Sequence, residues 1–254
     1  ACLPVALIAF AGFIYIEHQR HRSMLPFRHL FTGHYLNGLF YYAVCYLLLS
    51  SINYLIPIFL QQGLGFPVLN CGLVISAAGS CALLFAWLHL NTAARYRHQR
   101  HYLLFAFGCL ALFGFLCSRL TPQATLGQIA LPLLVLTGFT AIGQGTAAFH
   151  TFRETDNRIF SQAYQTKNML RELMNSTGVS VTNVFLQHRE ALHYTRLAES
   201  MPAEPLPQAG LSPANLLTLV TRQSTVMSCL DFCALIAVVG TGFIIHSLWP
   251  KQIR

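Results

Sequence analysis

Acidic side chains are nearly missing from this sequence. Only eight of its 254 residues are Asp or Glu, and charged residues of both signs together make up 9%. A water-soluble domain carries about 25% charged residues, because its surface has to stay hydrated. With so little charge the chain cannot clothe a globule in solvated groups, which excludes the soluble enzyme and soluble binding-module classes together.

Other absences narrow the field further. The eight cysteines (Cys2, Cys45, Cys71, Cys81, Cys109, Cys117, Cys229 and Cys233) include no C-x-x-C pair. Most lie in apolar stretches, where a thiol behaves as a small hydrophobe, so neither a disulfide framework nor a structural zinc is implied. Cys229 and Cys233, four apart on one helix face, read as packing. Period-2 alternation is absent from runs such as LLFAFGCLALFGFLC, which excludes a transmembrane β-barrel. Residues 1–16 have no basic leader and no small-residue cleavage site, so they are not a signal peptide.

What the chain does have is hydrophobicity, 54% of residues, gathered in blocks. The blocks run to about 20 residues, the length of helix that crosses a hydrocarbon core of about 30 Å. Six complete spans are predicted, near 35–60, 68–90, 102–118, 129–149, 161–186 and 224–248. Residues 1–16 (ACLPVALIAFAGFIYI) read as the end of a further transmembrane helix that begins outside the chain. Residues 17–34 read as a loop, 35–254 as a six-helix unit, and 187–223 as a long loop within it. In lipid every backbone polar group must be satisfied within its own segment, so the expected class is an all-α polytopic membrane protein.

Basic residues orient it. Arg20, Arg22 and Arg28 precede the first complete span; Arg95, Arg97 and Arg100 follow the second; Arg153 and Arg158 follow the fourth; Lys251 and Arg254 close the chain. These segments alternate, so they share one side, which the positive-inside rule makes cytoplasmic, with the C-terminus there too. Loop 187–223 then faces the periplasm and the membrane is the inner one. The net charge of +8 follows from these loops. They hold the topology and touch anionic lipid, and they form no nucleic-acid surface.

Polar groups at membrane depth are costly and usually face a cavity or the bundle interior. In the fifth span Lys167, Arg171, Asn175, Gly178 and Thr182 recur every three or four residues and share a helix face. Lys167 lies close enough to the helix start to snorkel to the surface. Arg171 is a turn deeper and is a candidate for function or helix clamping. Glu172 points about 100° away from it, toward a neighbouring helix or the Lys167 and Asn168 side chains. Ser176 and Ser180 form a small-xxx-small pair suited to close helix approach. In the last span Asp231 lies too far from the depth of Arg171 for a direct ion pair. It either takes up a proton from the outer side or caps the packing there. The first complete span carries Asn37, Tyr41, Ser51 and Tyr54, and Tyr41 is a candidate cavity residue for aromatic or amphipathic compounds. In the fourth, Gly143-Gln144-Gly145 marks a weak point for a kink, a cavity wall or close packing, with Gln144 its polar member.

Several of these residues also carry a family resemblance. The segment Asn168-Met-Leu-Arg171-Glu-Leu173-Met-Asn175-Ser176-Thr-Gly178 resembles the N-x-x-R-x-L-x-G-S-x-G signature of the penultimate helix in fourteen-helix drug:proton antiporters of the EmrB/QacA type. Arg189-Glu190-Ala-Leu-His193 and Leu197-Ala-Glu199-Ser200 are similar to the loop after that helix. Pro57-Ile-Phe-Leu60-Gln61, Gly65-Phe66 and Gly72-Leu73 match a pattern bridging two spans, and Gln223 through Asp231-Phe232 resembles the entry to the final helix. Asn175 departs from a signature Gly, and Ala77 and Gly145 stand where relatives often have Pro. The resemblance implies the C-terminal six-helix bundle of a major facilitator transporter, preceded by the end of a linker helix. It implies proton-coupled efflux of hydrophobic or amphipathic compounds such as drugs, around a midplane site shared with an N-terminal six-helix half. A periplasmic adaptor and an outer-membrane channel complete the path in Gram-negative members. No enzyme activity, cofactor or metal is expected on this reading.

Two other classes compete with it. A histidine-rich membrane enzyme is suggested by His18-Gln-Arg-His21 and His98-Gln-Arg-His101, but each pair is flanked by arginine and no H-x-x-H-H box occurs. A membrane scaffold or regulator that transports nothing would need no second half.

Overall fold

The computed structural model describes residues 33–93, 99–152, 160–200 and 213–248, together with Gly12. The expected stretch 1–16, the loop from 17, both H-x-x-H pairs apart from His101, and the basic residues at 95–97, 153–158 and 251–254 lie outside the described residues. Among those described there is no strand. Seven α-helices follow one another: α1 (Gly33–Ile58), α2 (Val68–Ala93), α3 (Gln99–Ser118), α4 (Leu126–Gly138), α5 (Gln144–Phe152), α6 (Phe160–Glu199) and α7 (Pro213–Leu248). Two short π-helical turns join them, Phe59–Gly63 extending α1 and Phe139–Gly143 linking α4 to α5 as one broken rod.

Five helical stretches are long and apolar enough to cross a bilayer: Tyr35–Gly63, Val68–Thr92, Arg100–Ser118, Leu126–Phe149 and Asn215–Leu248. The chain is therefore a multi-pass helical membrane protein, and five of the six expected spans are met. The sixth, 161–186, needs correction. It is helical, but α6 is too polar to qualify by composition and runs on to Glu199. Its 40 residues make a rod of about 60 Å at 1.5 Å per residue. Residues 187–199 and 213–223, expected as loop, are helical as well.

Contacts between helices fix their directions. Near one end, Tyr35 donates its hydroxyl to the Ala163 carbonyl (3.1 Å), Gly38 lies against Thr151, and Arg100 bonds the Leu248 carbonyl. At the other, the Arg222 guanidinium donates to the carbonyls of Gly63 and Leu64, satisfying groups that the end of α1 leaves open. The chain thus crosses back and forth, as the alternating basic segments predict. Gly65, at φ +72°, turns the chain beneath that guanidinium, and a Cβ there would lie 2.9 Å from it.

The core lies among α1, α3, α4, α5 and α7. Phe107 stacks on Phe243 with ring centroids 5.0 Å apart, and Tyr41 and Phe139 close around them. Helices in lipid gain little from apolar burial and associate by close packing instead. Accordingly α3 and α7 meet at glycines: a Cβ on Gly114 would sit 2.6 Å from the Cys233 carbonyl oxygen.

Candidate functional site

Helix α6 lies parallel to α1 and beside it through most of its depth. Tyr35 meets Ala163 at one end and the Tyr54 hydroxyl reaches the Asn183 amide oxygen (3.1 Å) toward the other. Between them Ser50 donates to the Asn175 carbonyl (2.6 Å) and Ser51 to that of Gly178 (3.2 Å). These bonds depend on a close approach at Gly178, where a Cβ would lie 2.5 Å from the Leu47 carbonyl oxygen. Polar composition, and not position, is what sets α6 apart from the five apolar spans.

The polar residues of α6 divide into a packed set and an open set. Lys167, Gly178 and Thr182 are buried against the bundle, with Arg171 and Asn175 half-buried beside them. The open set is Gln165, Glu172, Ser176, Ser180 and Gln187, at spacings of four and seven, with Asn168 half-buried at its edge and Asn183 half-buried where it accepts from Tyr54 of α1. From 165 to 187 this stripe measures about 33 Å along the helix, close to the thickness of a hydrocarbon core. Glu172 is the most consequential member. Its side chain is 67% exposed, and it accepts from Arg171 Nε at 3.0 Å and Nη2 at 2.9 Å. Its level falls between the Lys167–Tyr42 contact and the Ser50–Asn175 bond, hence near the middle of α1.

Lys167 does not snorkel. It is buried, with its ammonium 5.1 Å from the Tyr42 ring centre and 4.7 Å from that of Tyr164, a cation between two aromatic faces. Ser176 and Ser180 do not mediate the close approach either, since both hydroxyls return to their own helix, on the carbonyls of Glu172 and Ser176.

A second cluster stands at the far end of the bundle, between α6 and α7. One oxygen of Asp231, Oδ2, accepts from Arg189 Nε (2.8 Å), from Arg189 Nη2, and from His193 Nε2 (2.7 Å). Beside it Thr225 donates to Glu190 (2.5 Å), and Phe185 packs edge-on against Phe232. Arg189 and His193 are one turn apart on α6, so the cluster pins the C-terminal extension of α6 to α7.

Neither a protein-family model nor a curated protein matches this chain.

The structure separates the six candidate residues into different environments. Arg171 lies on the rim of the open face, paired with its neighbour Glu172. Asn175 is one turn further out on α6, half-buried. Asp231 belongs to the cluster at the far end of the bundle, and its partner is Arg189, in keeping with the expectation that it does not reach Arg171. Tyr41 is fully buried in the aromatic core, its hydroxyl 2.9 Å from His246 Nδ1 and 3.4 Å from Ser247 Oγ. Asn37 is half-buried one turn before Tyr41 on α1. Gln144 is half-buried at the start of α5, immediately after the π-turn.

Sequence reasoning selected the packed face of α6 and missed the open one. The signal was present, because the exposed polar positions Gln165, Glu172, Ser176, Ser180 and Gln187 fall at helical spacings of four and seven. Among the described residues no three His, Cys, Asp or Glu side chains converge as a metal site would require.

Proposed function

We propose that this chain is the C-terminal half of a proton-coupled exporter of hydrophobic or amphipathic compounds, of the fourteen-helix major facilitator type. The observation that carries the proposal is the open stripe of α6. A polar face containing an ion pair, exposed along the full thickness of the bilayer, is not stable against lipid. It requires either a water-filled cleft or a second helical bundle opposite, and a transporter built of two halves supplies both. The alternating crossings and the motif resemblance support the same reading. On it the membrane is the inner membrane and the C-terminus is cytoplasmic. The partners are the N-terminal six-helix half, the exported compound and protons, with a periplasmic adaptor and outer-membrane channel as further candidates.

Topology provides the first test. A reporter fused after Arg100 or at the C-terminus should be active only in the cytoplasm, and one fused near Pro205 only in the periplasm. The reverse pattern would refute the orientation. Function provides the second. The cleft has one wall here, so residues 1–254 alone should leave dye accumulation in cells at background, whereas this segment joined to its N-terminal half should export. Robust export by residues 1–254 alone would contradict the half-transporter reading. A sequence encoding the N-terminal six-helix half upstream is the corresponding genomic expectation.

A further inference from the structure

Four carboxylates lie among the described residues: Glu172, Glu190, Glu199 and Asp231. Three stand toward the far end of the bundle. Asp231 is held by Arg189 and His193, Glu190 accepts from Thr225, and Glu199 is the last residue of α6. Glu172 differs in every respect. It lies near mid-depth with its side chain 67% exposed, and the partner the structure gives it is Arg171, the adjacent residue.

Adjacent residues on a helix point about 100° apart. The Arg171 side chain therefore reaches around from the rim of the packed face to meet Glu172. An arrangement of this kind has two states of comparable geometry. With the carboxylate ionised, Arg171 turns toward it; with the carboxylate protonated, the attraction is gone and the guanidinium is released to its exposed side.

We propose that Glu172 is a proton-binding site at mid-membrane, with Arg171 as its exchangeable counter-ion. A proton from water at the exposed side chain adds to a Glu172 carboxylate oxygen, the Arg171 hydrogen bonds to that oxygen break, and the guanidinium keeps its charge and turns to water. When the proton returns to water the pair re-forms, so no other reactant is needed. Other titratable groups nearby are Lys167 on α6, between Tyr42 of α1 and Tyr164, and Tyr46 of α1, which stacks near Tyr42 at 4.6 Å. From α7, the other helix packed on α6, the described carboxylate is Asp231 in the far-end cluster. In the transporter proposed above, Glu172 is then the group through which this half takes part in proton exchange; that last step rests on the transporter reading, and the site itself does not.

The experiment is infrared difference spectroscopy of the complete protein in lipid as the external pH is lowered. Wild type and Asp231→Asn should both develop a carboxylic-acid C=O band, Glu172→Gln should lack one component of it, and Glu172→Asp should keep that component at a shifted frequency. The last variant separates loss of the group from loss of the fold. A band in Glu172→Gln identical to that of wild type, or absence of any titrating band in wild type, would overturn the proposal. A second measurement follows ethidium efflux from proteoliposomes under an imposed pH gradient. Glu172→Gln should fall to the level of protein-free vesicles, and gradient-driven efflux by that variant would overturn the coupling role. A Glu172 band without ethidium efflux in wild type would remove the transporter reading and leave the proton site in place.

Discussion

Replacing Gly178 with alanine should cost this protein more than a single methyl group normally does. The added Cβ would lie 2.5 Å from the Leu47 carbonyl oxygen, 3.1 Å from Ser50 Cβ and 3.2 Å from Ser50 Oγ. The first contact is with backbone, which cannot rotate aside, so α1 and α6 must separate. Separation would lengthen the bonds from Ser50 to Asn175 and from Ser51 to Gly178. Overpacking of a closely fitted site costs about 1–3 kcal/mol, and weakened hydrogen bonds in lipid add to that, so the expected loss is at the upper end. Thermal unfolding of the detergent-solubilised protein should show a clear drop in midpoint for Gly178→Ala. Gly72→Ala is the control, because a Cβ there meets nothing within 4 Å. Alanine is the better helix former by up to about 1 kcal/mol, so that variant should melt at the wild-type temperature or above. Equal midpoints for the two variants would mean that α1 and α6 are not in close contact at Gly178.

The same contact explains what the sequence could and could not disclose. Five spans were legible because apolar length is a local property, requiring no knowledge of neighbouring helices. The sixth was legible as a helix but not as a surface. It carries two polar stripes at helical spacing, one through Lys167, Gly178 and Thr182 and one through Gln165, Glu172 and Gln187. Which is packed depends on the fit of Gly178 under the Leu47 carbonyl, more than a hundred residues away in the chain. Spacing alone cannot rank them.

Helix ends were underestimated for a different reason. The reading stopped α6 where its apolar character fades, near 186. Yet Gln187–Glu199 contains neither Gly nor Pro, and the first Pro after Gly178 is Pro202. Pro213 opens α7 at a first helical position, where its missing N–H costs nothing. Breakers, and not hydropathy, mark these ends. The weak point at Gly143-Gln144-Gly145 was placed well, since the π-turn Phe139–Gly143 runs directly into it. The π-turn at Phe59–Gly63 was not anticipated, although Pro57 two residues earlier removes a helical N–H donor in that region.

Asp231 was left with two roles by the sequence, proton acceptor or packing element, and its surroundings favour the second. A carboxylate oxygen already receiving Arg189 twice and His193 once serves as the structural acceptor that joins α6 to α7. Asp231→Asn should therefore leave the external-pH dependence of export unchanged in the complete protein, while lowering stability. Removing one partner of a buried ion pair costs about 3–5 kcal/mol. Here the Arg189 and Asp231 side chains remain 34% and 33% exposed, so water screens the stranded guanidinium and about 1–2 kcal/mol is the reasonable expectation. The thermal midpoint should fall for Asp231→Asn and for Arg189→Ala, and by less than the sum when the two are combined, because each removes the same interaction. Strict additivity of the two losses would show that the pair does not form. Loss of pH dependence in Asp231→Asn, with the protein still folded, would instead move the proton site from the middle of α6 to its far end.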